Sequence, residues 1–239
     1  VTLDLYGDGN IAPTATLTIG SMSTVNLYAA SPTVGALAGV GPLNLNDSDV
    51  QLGGAMDAVY YGNINGASGV GALTKVGTGT QTLLGIASYS GPTTLDDGRL
   101  RIESTDNIGA GPVVFTGDST LEIFGSAPFA TSRAMQLDAA GTLEVTNSAG
   151  VTWDGELAGA GSLTKDGPGE LTLTAANSYA GGTVIEAGRL IVSADDNLGT
   201  GGVTFSGDAT LALTGAAAFA TASASSRCGS LRLRCAPSS

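Results

Sequence analysis

The residues best suited to chemistry in this chain are its acid pairs, Asp96-Asp97, Asp195-Asp196 and Asp47-x-Asp49. Paired carboxylates cleave polysaccharides when they face each other across a cleft, roughly 5 to 10 Å apart, one as acid and one as base or nucleophile. Asp96-Asp97 and Asp195-Asp196 lie instead in short polar stretches between apolar runs, where Asp is favoured for its hydrogen bonds to the turn backbone. Turn acids are therefore the better reading. The chain has no His, which removes the usual Ser–His triad, the commonest general base and the commonest metal ligand. A Ser–Lys dyad would need Lys75 or Lys165 desolvated beside a serine. Both lysines close a strand-like run at the same repeat position, and both read as solvated or edge-protecting. The Gly-Gly-x-Gly-x-Asp calcium repeat does not occur. Arg99 and Arg189 each follow a glycine, and read either as part of a ladder on one face or as surface partners of Asp97 and Glu186. Tyr89 and Tyr179 read as amphipathic rings packed over a turn rather than as ligand-stacking rings. No catalytic residue, cofactor-binding residue, metal ligand or cofactor is assigned, and the chain is not expected to be an enzyme.

The totals narrow the class. With Gly 37, charged residues at 13%, aromatics at 5% and mean hydropathy +0.24, the composition suits thin β-structure with many tight turns. A disordered chain would be poorer in apolar residues and richer in charge. No apolar run approaches the roughly 20 residues of a spanning helix. A net charge of −12 with nine Lys and Arg argues against nucleic acid and against an anionic bilayer, both of which need clustered cations. It fits a soluble, exposed surface protein. No signal peptide is recognised, and Val1 opens inside a strand-like run, so the chain reads as a fragment or a processed piece.

The elements that position these residues are short strands between glycines. Val1 to Tyr6, Ala15 to Ile19 and Thr24 to Tyr28 alternate apolar and polar residues, as half-buried strands do. Leu43 to Asn46 and Ala58 to Tyr61 do so more weakly. No window holds a helical period, so almost no helix is expected. From Gly69 the pattern sharpens and then repeats. Gly69 to Thr131 lies on Gly159 to Thr221 at a shift of 90 residues without a gap, with roughly half of the positions identical. Lys75 falls on Lys165, Tyr89 on Tyr179, Gly98-Arg99-Leu100 on Gly188-Arg189-Leu190, and Asp106-Asn107 on Asp196-Asn197. A strand of four to six residues carries one or two inward apolar side chains, too few to stand alone. Coils stacked at about 20 residues each would bury those side chains in one column and pair the backbone of each coil with its neighbours.

The segment Gly161-x-Leu163-Thr164-Lys165-x-Gly167-x-Gly169-x-Leu171-Thr172-Leu173, followed by Asn177-x-Tyr179-x-Gly181-x-Thr183-x-Ile185 and Gly188-x-Leu190-x-Val192, resembles the autotransporter-associated β-strand repeat. That repeat is found in the passenger regions of bacterial type V secreted proteins. The first copy departs from the pattern at Gln81, where Leu is expected, and at Ala87, where Asn is expected; Gln81 would locally loosen a coil. The resemblance implies an all-β, right-handed parallel β-helix. It also implies export through the outer membrane, and display at the cell surface or release by a translocator β-barrel. That barrel, with its longer alternating strands and aromatic girdles, is not in this chain.

The expected organisation is a single β-solenoid over 1–221, with its best copies at 69–131 and 159–221. After Thr221 the pattern breaks. Cys228 and Cys235 and three of the seven Arg lie in that last stretch. Residues 222–239 read as the product of a reading-frame slip or truncated gene, ending in a disordered tail. The alternative is a capping tail closed by a Cys228–Cys235 disulfide. The expected function is a non-catalytic, surface-exposed passenger or stalk, adhesin-like or a display scaffold. Its partners would be a host-cell or matrix surface or neighbouring cells, together with the translocator barrel of the same gene, and not nucleic acid. The alternative is a β-helical enzyme, a lyase or glycosidase, acting on polysaccharide.

Overall fold

The computed structural model describes residues 1–7, 10–11, 14–66 and 71–214, and the backbone of 224–226 and 234–235. Its Cα atoms fall into two compact units, Val1–Val114 with Ser119–Leu121, and Phe115–Asp118 with Glu122–Ser239. The strands of the first unit are β1 (Thr2–Leu5), β2 (Thr16–Ile19), β3 (Thr24–Leu27), β4 (Thr33–Val34), β5 (Ala36–Gly39), β6 (Leu43–Asn44), β7 (Asp49–Leu52), β8 (Ala58–Tyr60), β9 (Ile64–Asn65), β10 (Ala72–Lys75), β11 (Thr80–Leu83), β12 (Thr93–Leu95) and β13 (Gly98–Ile102). They form three parallel sheets, in the orders β1-β3-β6-β9, β4-β7-β10-β12 and β2-β5-β8-β11-β13. Each strand pairs with the one that follows it by a coil: Thr2 with Thr24, Thr16 with Ala36, Leu73 with Thr93 and Thr80 with Arg99. The unit is thus a parallel β-solenoid of about five turns, counted along the sheet that contains β2. β14 (Val113–Phe115) and β15 (Ser119–Ile123) fall at the division.

The second unit repeats the plan. Its strands are β16 (Phe129–Thr131), β17 (Met135–Leu137), β18 (Gly141–Val145), β19 (Val151–Trp153), β20 (Leu157–Ala158), β21 (Leu163–Asp166), β22 (Glu170–Leu173), β23 (Thr183–Ile185), β24 (Gly188–Val192), β25 (Val203–Phe205), β26 (Ala209–Leu213), β27 (Ala224–Ser226) and β28 (Arg234–Cys235). β16-β19-β22-β24-β26-β28, β17-β20 and β18-β21-β23-β25-β27 are hydrogen-bonded in those orders, again all parallel and again about five turns. Among the described residues the only helical segments are two 3-10 turns, Thr105–Asn107 and Asp195–Leu198. Of the stretch 222–239 only the backbone of β27 and β28 is described, so the reading of that stretch as a tail, and the pairing of Cys228 with Cys235, lie outside the described residues.

Alternation explains the core. In β10, Leu73 and Lys75 point in and Thr74 out; in β21, Leu163 and Lys165 point in and Thr164 out. Leu73, Leu83, Leu95, Leu100 and Ile102 line the interior of the first unit, and Leu163, Leu173, Ile185, Leu190 and Val192 that of the second, all fully buried. Each such side chain contributes about 1.5–3 kcal/mol by leaving water, and a single coil alone offers it nothing to pack against. The turns before β13 and β24 need glycine. Gly98 has φ +68° and Gly188 φ +67°, and a Cβ there would overlap the carbonyl oxygen of Gly77 or Gly167 in the coil before.

Candidate functional site

The lysines are not on the surface. Lys75 and Lys165 are completely buried, which corrects the reading of them as solvated or edge-protecting. Strand parity turns both inward, Lys75 as the last residue of β10 and Lys165 as the last but one of β21, and the stem runs through the core to reach the turn beyond. Lys75 Nζ donates to the carbonyls of Val76 at 2.9 Å, Gly77 at 2.6 Å and Asp97 at 3.1 Å. Lys165 Nζ repeats this with Asp166 at 2.8 Å, Gly167 at 2.8 Å and Ala187 at 3.1 Å. All three ammonium protons are used. Two of the carbonyls belong to the lysine's own turn and the third to the next coil, so each lysine ties a turn to the coil stacked on it. Burial lowers Lys75 to about 8, against the opposing pull of Asp97 and Asp57. Burial lowers Lys165 equally, against Asp166 and Glu144. Both ammonium groups donate to carbonyls rather than to a serine, so the geometry of a Ser–Lys dyad is not the one built.

The recurring tyrosines and asparagines are also internal. Tyr89 and Tyr179 are fully buried, with their hydroxyls 2.9 Å from Thr93 Oγ1 and 2.6 Å from Thr183 Oγ1. Gly109 and Gly199 of the following coil lie against these rings, where a Cβ would overlap the ring of Tyr89 and come within 3.0 Å of that of Tyr179. These rings pack; no ligand could reach them. Asn107 accepts from the N–H groups of Glu103 and Ser104 and donates to Gly85 O of the coil before. Asn197 accepts from Ser193 and Ala194 and donates to Thr174 O and Ala175 O. Each is a peg between two coils.

Gln81 departs from the repeat for a visible reason. β8 pairs with β5 only where Tyr60 meets Gly39, which leaves Leu37 without a backbone partner on that side. The buried Gln81 side chain, from the coil beyond, supplies one: Leu37 N–H donates to Gln81 Oε1 at 3.0 Å, and Gln81 Nε2 donates to Leu37 O at 2.9 Å. A primary amide here stands in for a missing peptide pair. The expectation that Gln81 loosens its coil is reversed.

The acid pairs lie at or beside the turns between strands. Asp96-Asp97 lies between β12 and β13, where Asp97 Oδ1 accepts from Gly98 N–H at 2.7 Å. Asp195-Asp196 opens the second 3-10 turn, and Asp47 and Asp49 flank the bend between β6 and β7. Asp57 and Asp166 likewise accept from the backbone of Thr80 and Gly167, both at 2.7 Å. Among the described residues no group of three or more His, Cys, Asp or Glu is placed to hold a metal ion. Arg189 pairs with Glu170 of the preceding coil at 2.8 Å, not with Glu186, and both side chains are about half exposed. Such a pair contributes little. Arg99 lies opposite Thr80, so the position that Glu170 holds in the second copy is held by a threonine in the first.

One outward feature escaped the sequence reading. On the sheet β1-β3-β6-β9, Asn26 Nδ2 donates to Asp4 Oδ1 at 2.6 Å, Asn44 Nδ2 to Asn26 Oδ1 at 2.7 Å, and Asn65 Nδ2 to Asn44 Oδ1 at 2.8 Å. Two residues beyond Asp4 and Asn26, the exposed rings of Tyr6 and Tyr28 stack, with centroids 4.8 Å apart and planes 8° from parallel. The signal was present: a polar residue beside Leu or Ile recurs at Asp4, Asn26, Asn44 and Asn65 at coil spacing.

Comparison with known proteins places these coils. Residues 73–102 and 163–192 each match the passenger-associated-transport-repeat model, so the chain carries two copies of that repeat. Each copy comprises two consecutive strands and the two strands that stack on them, β10 and β11 under β12 and β13, and β21 and β22 under β23 and β24. The chain is 35% identical over 134 residues to the adhesin BmaC autotransporter of Brucella suis biovar 1 (strain 1330), an alignment that covers 51% of this chain and 4% of that relative. The chain therefore spans a small fraction of the length of the relative it matches. No solved structure gives a significant match.

Proposed function

We propose that this chain is a stretch of the exported passenger of an autotransporter, displayed at the bacterial surface or released, where it acts as a non-catalytic stalk with adhesin-like contacts. The observation that carries this reading is the seating of both passenger-transport repeats in parallel β-solenoid, with the repeat's most distinctive polar residues, Lys75 and Lys165, spent on tying coil to coil. A repeat whose recurring chemistry is internal serves the stack, and leaves the outside free to vary. The resemblance to an adhesin autotransporter supports the surface location and a binding role. A translocator barrel from the same gene and target molecules on other cells or matrix are its partners in this reading.

The test is display. The chain is placed between a secretion signal and an autotransporter barrel in a Gram-negative host, and intact cells are treated with protease. Removal of the chain from intact cells, with a periplasmic marker untouched, is the expected result. Retention in the periplasm would overturn the reading. In parallel, the purified chain is incubated with acidic polysaccharides; new reducing ends or unsaturated products, abolished by Asp96→Asn or Asp195→Asn, would overturn the non-catalytic assignment.

A further inference from the structure

The exposed large apolar and aromatic side chains among the described residues are unevenly spread. Val1, Leu3, Tyr6, Met22, Tyr28, Val40, Met56, Val59, Tyr61 and Ile86 all lie at or before Ile86, and none lies between Ala87 and Thr214. The stretch 1–66 also holds no Lys or Arg. Within it, the outer face of the sheet β1-β3-β6-β9 carries both features: the stacked Tyr6 and Tyr28 run alongside the amide ladder of Asp4, Asn26, Asn44 and Asn65. We propose that this face binds an uncharged glycan chain, laid along the direction in which the coils stack.

Three observations select that ligand. Tyr6 is 67% exposed and Tyr28 47% exposed, yet the two rings hold each other in one orientation. Exposed, pre-ordered phenols offer an apolar surface and a hydrogen-bonding rim at low entropic cost, which suits the C–H face and hydroxyls of a sugar ring. The ladder is the second. Each bridging amide uses one N–H and one oxygen lone pair on its neighbours, and keeps a second of each for a ligand. Sugar hydroxyls both donate and accept, so they match a row that presents both. Spacing is the third. Equivalent groups recur at every coil, about 4.8 Å apart, and a glycan is a polymer that repeats similar groups along its length.

Charge excludes the competitors. An anionic glycan, a nucleic acid or an anionic lipid would meet no cationic side chain on this face and would be repelled by Asp4. A cationic peptide would find a single carboxylate in a row otherwise made of amides. This inference names the ligand class for the adhesin-like reading and rests on it for its cellular meaning, but binding is measured on the purified chain and display on intact cells, so either can fail alone.

The purified 239-residue chain is run in native gels cast with hydroxyethyl cellulose, galactomannan or glycogen as neutral probes, with heparin as the anionic probe and polylysine as the cationic one in solution. Retardation by at least one neutral probe is expected. Tyr6→Ala/Tyr28→Ala should weaken it about tenfold, while Tyr6→Phe/Tyr28→Phe, which keeps the rings, should retain most of it. Tyr61→Ala, exposed elsewhere on the unit, should change nothing. Circular dichroism checks that each variant is folded, and should the Ala pair misfold, Asn26→Ala/Asn44→Ala takes its place with the same expectation. No retardation by any neutral probe, retardation equal in the ring-deleted or ladder-deleted variant, or binding only to heparin or polylysine would overturn the proposal.

Discussion

Lys75 is where the physics of this chain is most exposed. Its charge suggests solvent and its position does not. In β10 the sequence Leu73-Thr74-Lys75 alternates, so whatever puts Leu73 inside puts Lys75 inside as well. The parity was legible; what was not legible is that three carbonyls would converge at the end of a four-carbon stem, because two of them come from a turn and one from the next coil. Lys75→Met keeps the stem and removes the donors, leaving three acceptors in the core. It should destabilise the chain by about 1–3 kcal/mol in urea unfolding, and Lys165→Met should match it. Gln81 makes the opposite case. Restoring the repeat's own residue, Gln81→Leu, should lower stability, by about 1–3 kcal/mol, because the N–H and C=O of Leu37 lose the amide that now pairs them. An increase in urea midpoint for Gln81→Leu would refute that role. Nothing in the sequence around Gln81 announces it, since its partner lies two coils away.

At the scale of elements, glycine spacing and alternation revealed the strands of the repeats, including β10, β11, β21, β22 and β24. They did so less well before Gly69. Ala36 to Gly39, the basis of β5, has no polar alternation, and β4 and β9 are only two residues long. Such strands exist because the neighbouring coils pair with them, information that no local window holds. The turns obey a stricter rule. Gly188 needs both a left-handed backbone and an absent Cβ, because the carbonyl of Gly167 lies directly beneath it. Gly188→Ala should cost about 1–3 kcal/mol for the backbone alone, and more for the contact. Gly98 meets the same two demands in the first copy, so thermal melts of Gly98→Ala and Gly188→Ala should fall together. A melt of Gly188→Ala within error of the parent would contradict the stacked turn.

For the whole molecule, stability should follow the ionisation of groups buried by stacking. Lys75 and Lys165 have folded values lowered to about 8 from 10.5. Between those values the unfolded chain holds protons that the folded chain has released, so stability rises with pH across that window. Burial acts the other way on the phenols. Tyr179 is pushed up from 10.0 to about 12, with the Thr183 hydrogen bond opposing, and Tyr60 is raised further by its own burial. Above about pH 10 the unfolded chain loses phenol protons that the folded chain retains, and stability falls again. Urea midpoints measured across the alkaline range should therefore pass through a maximum near about pH 10. The Lys75→Met/Lys165→Met double variant should lose the rise and keep the fall. A monotonic fall in the parent would show that the lysines titrate as they do in water.

The parallel register of neighbouring coils is the claim on which the rest stands, and cysteine cross-linking reads it directly. In a background where Cys228 and Cys235 are replaced by serine, Thr74→Cys/Thr94→Cys and Thr164→Cys/Val184→Cys place thiols on directly opposed outward positions of adjacent strands. Their Cα atoms lie at about the 4.8 Å strand spacing, within the range a disulfide spans. Both pairs should close rapidly on mild oxidation, while Thr74→Cys/Arg101→Cys, on strands of different sheets, should not. Failure of both opposed pairs to close, or equal closure of the Thr74/Arg101 pair, would contradict the stacked coils and the passenger function built on them.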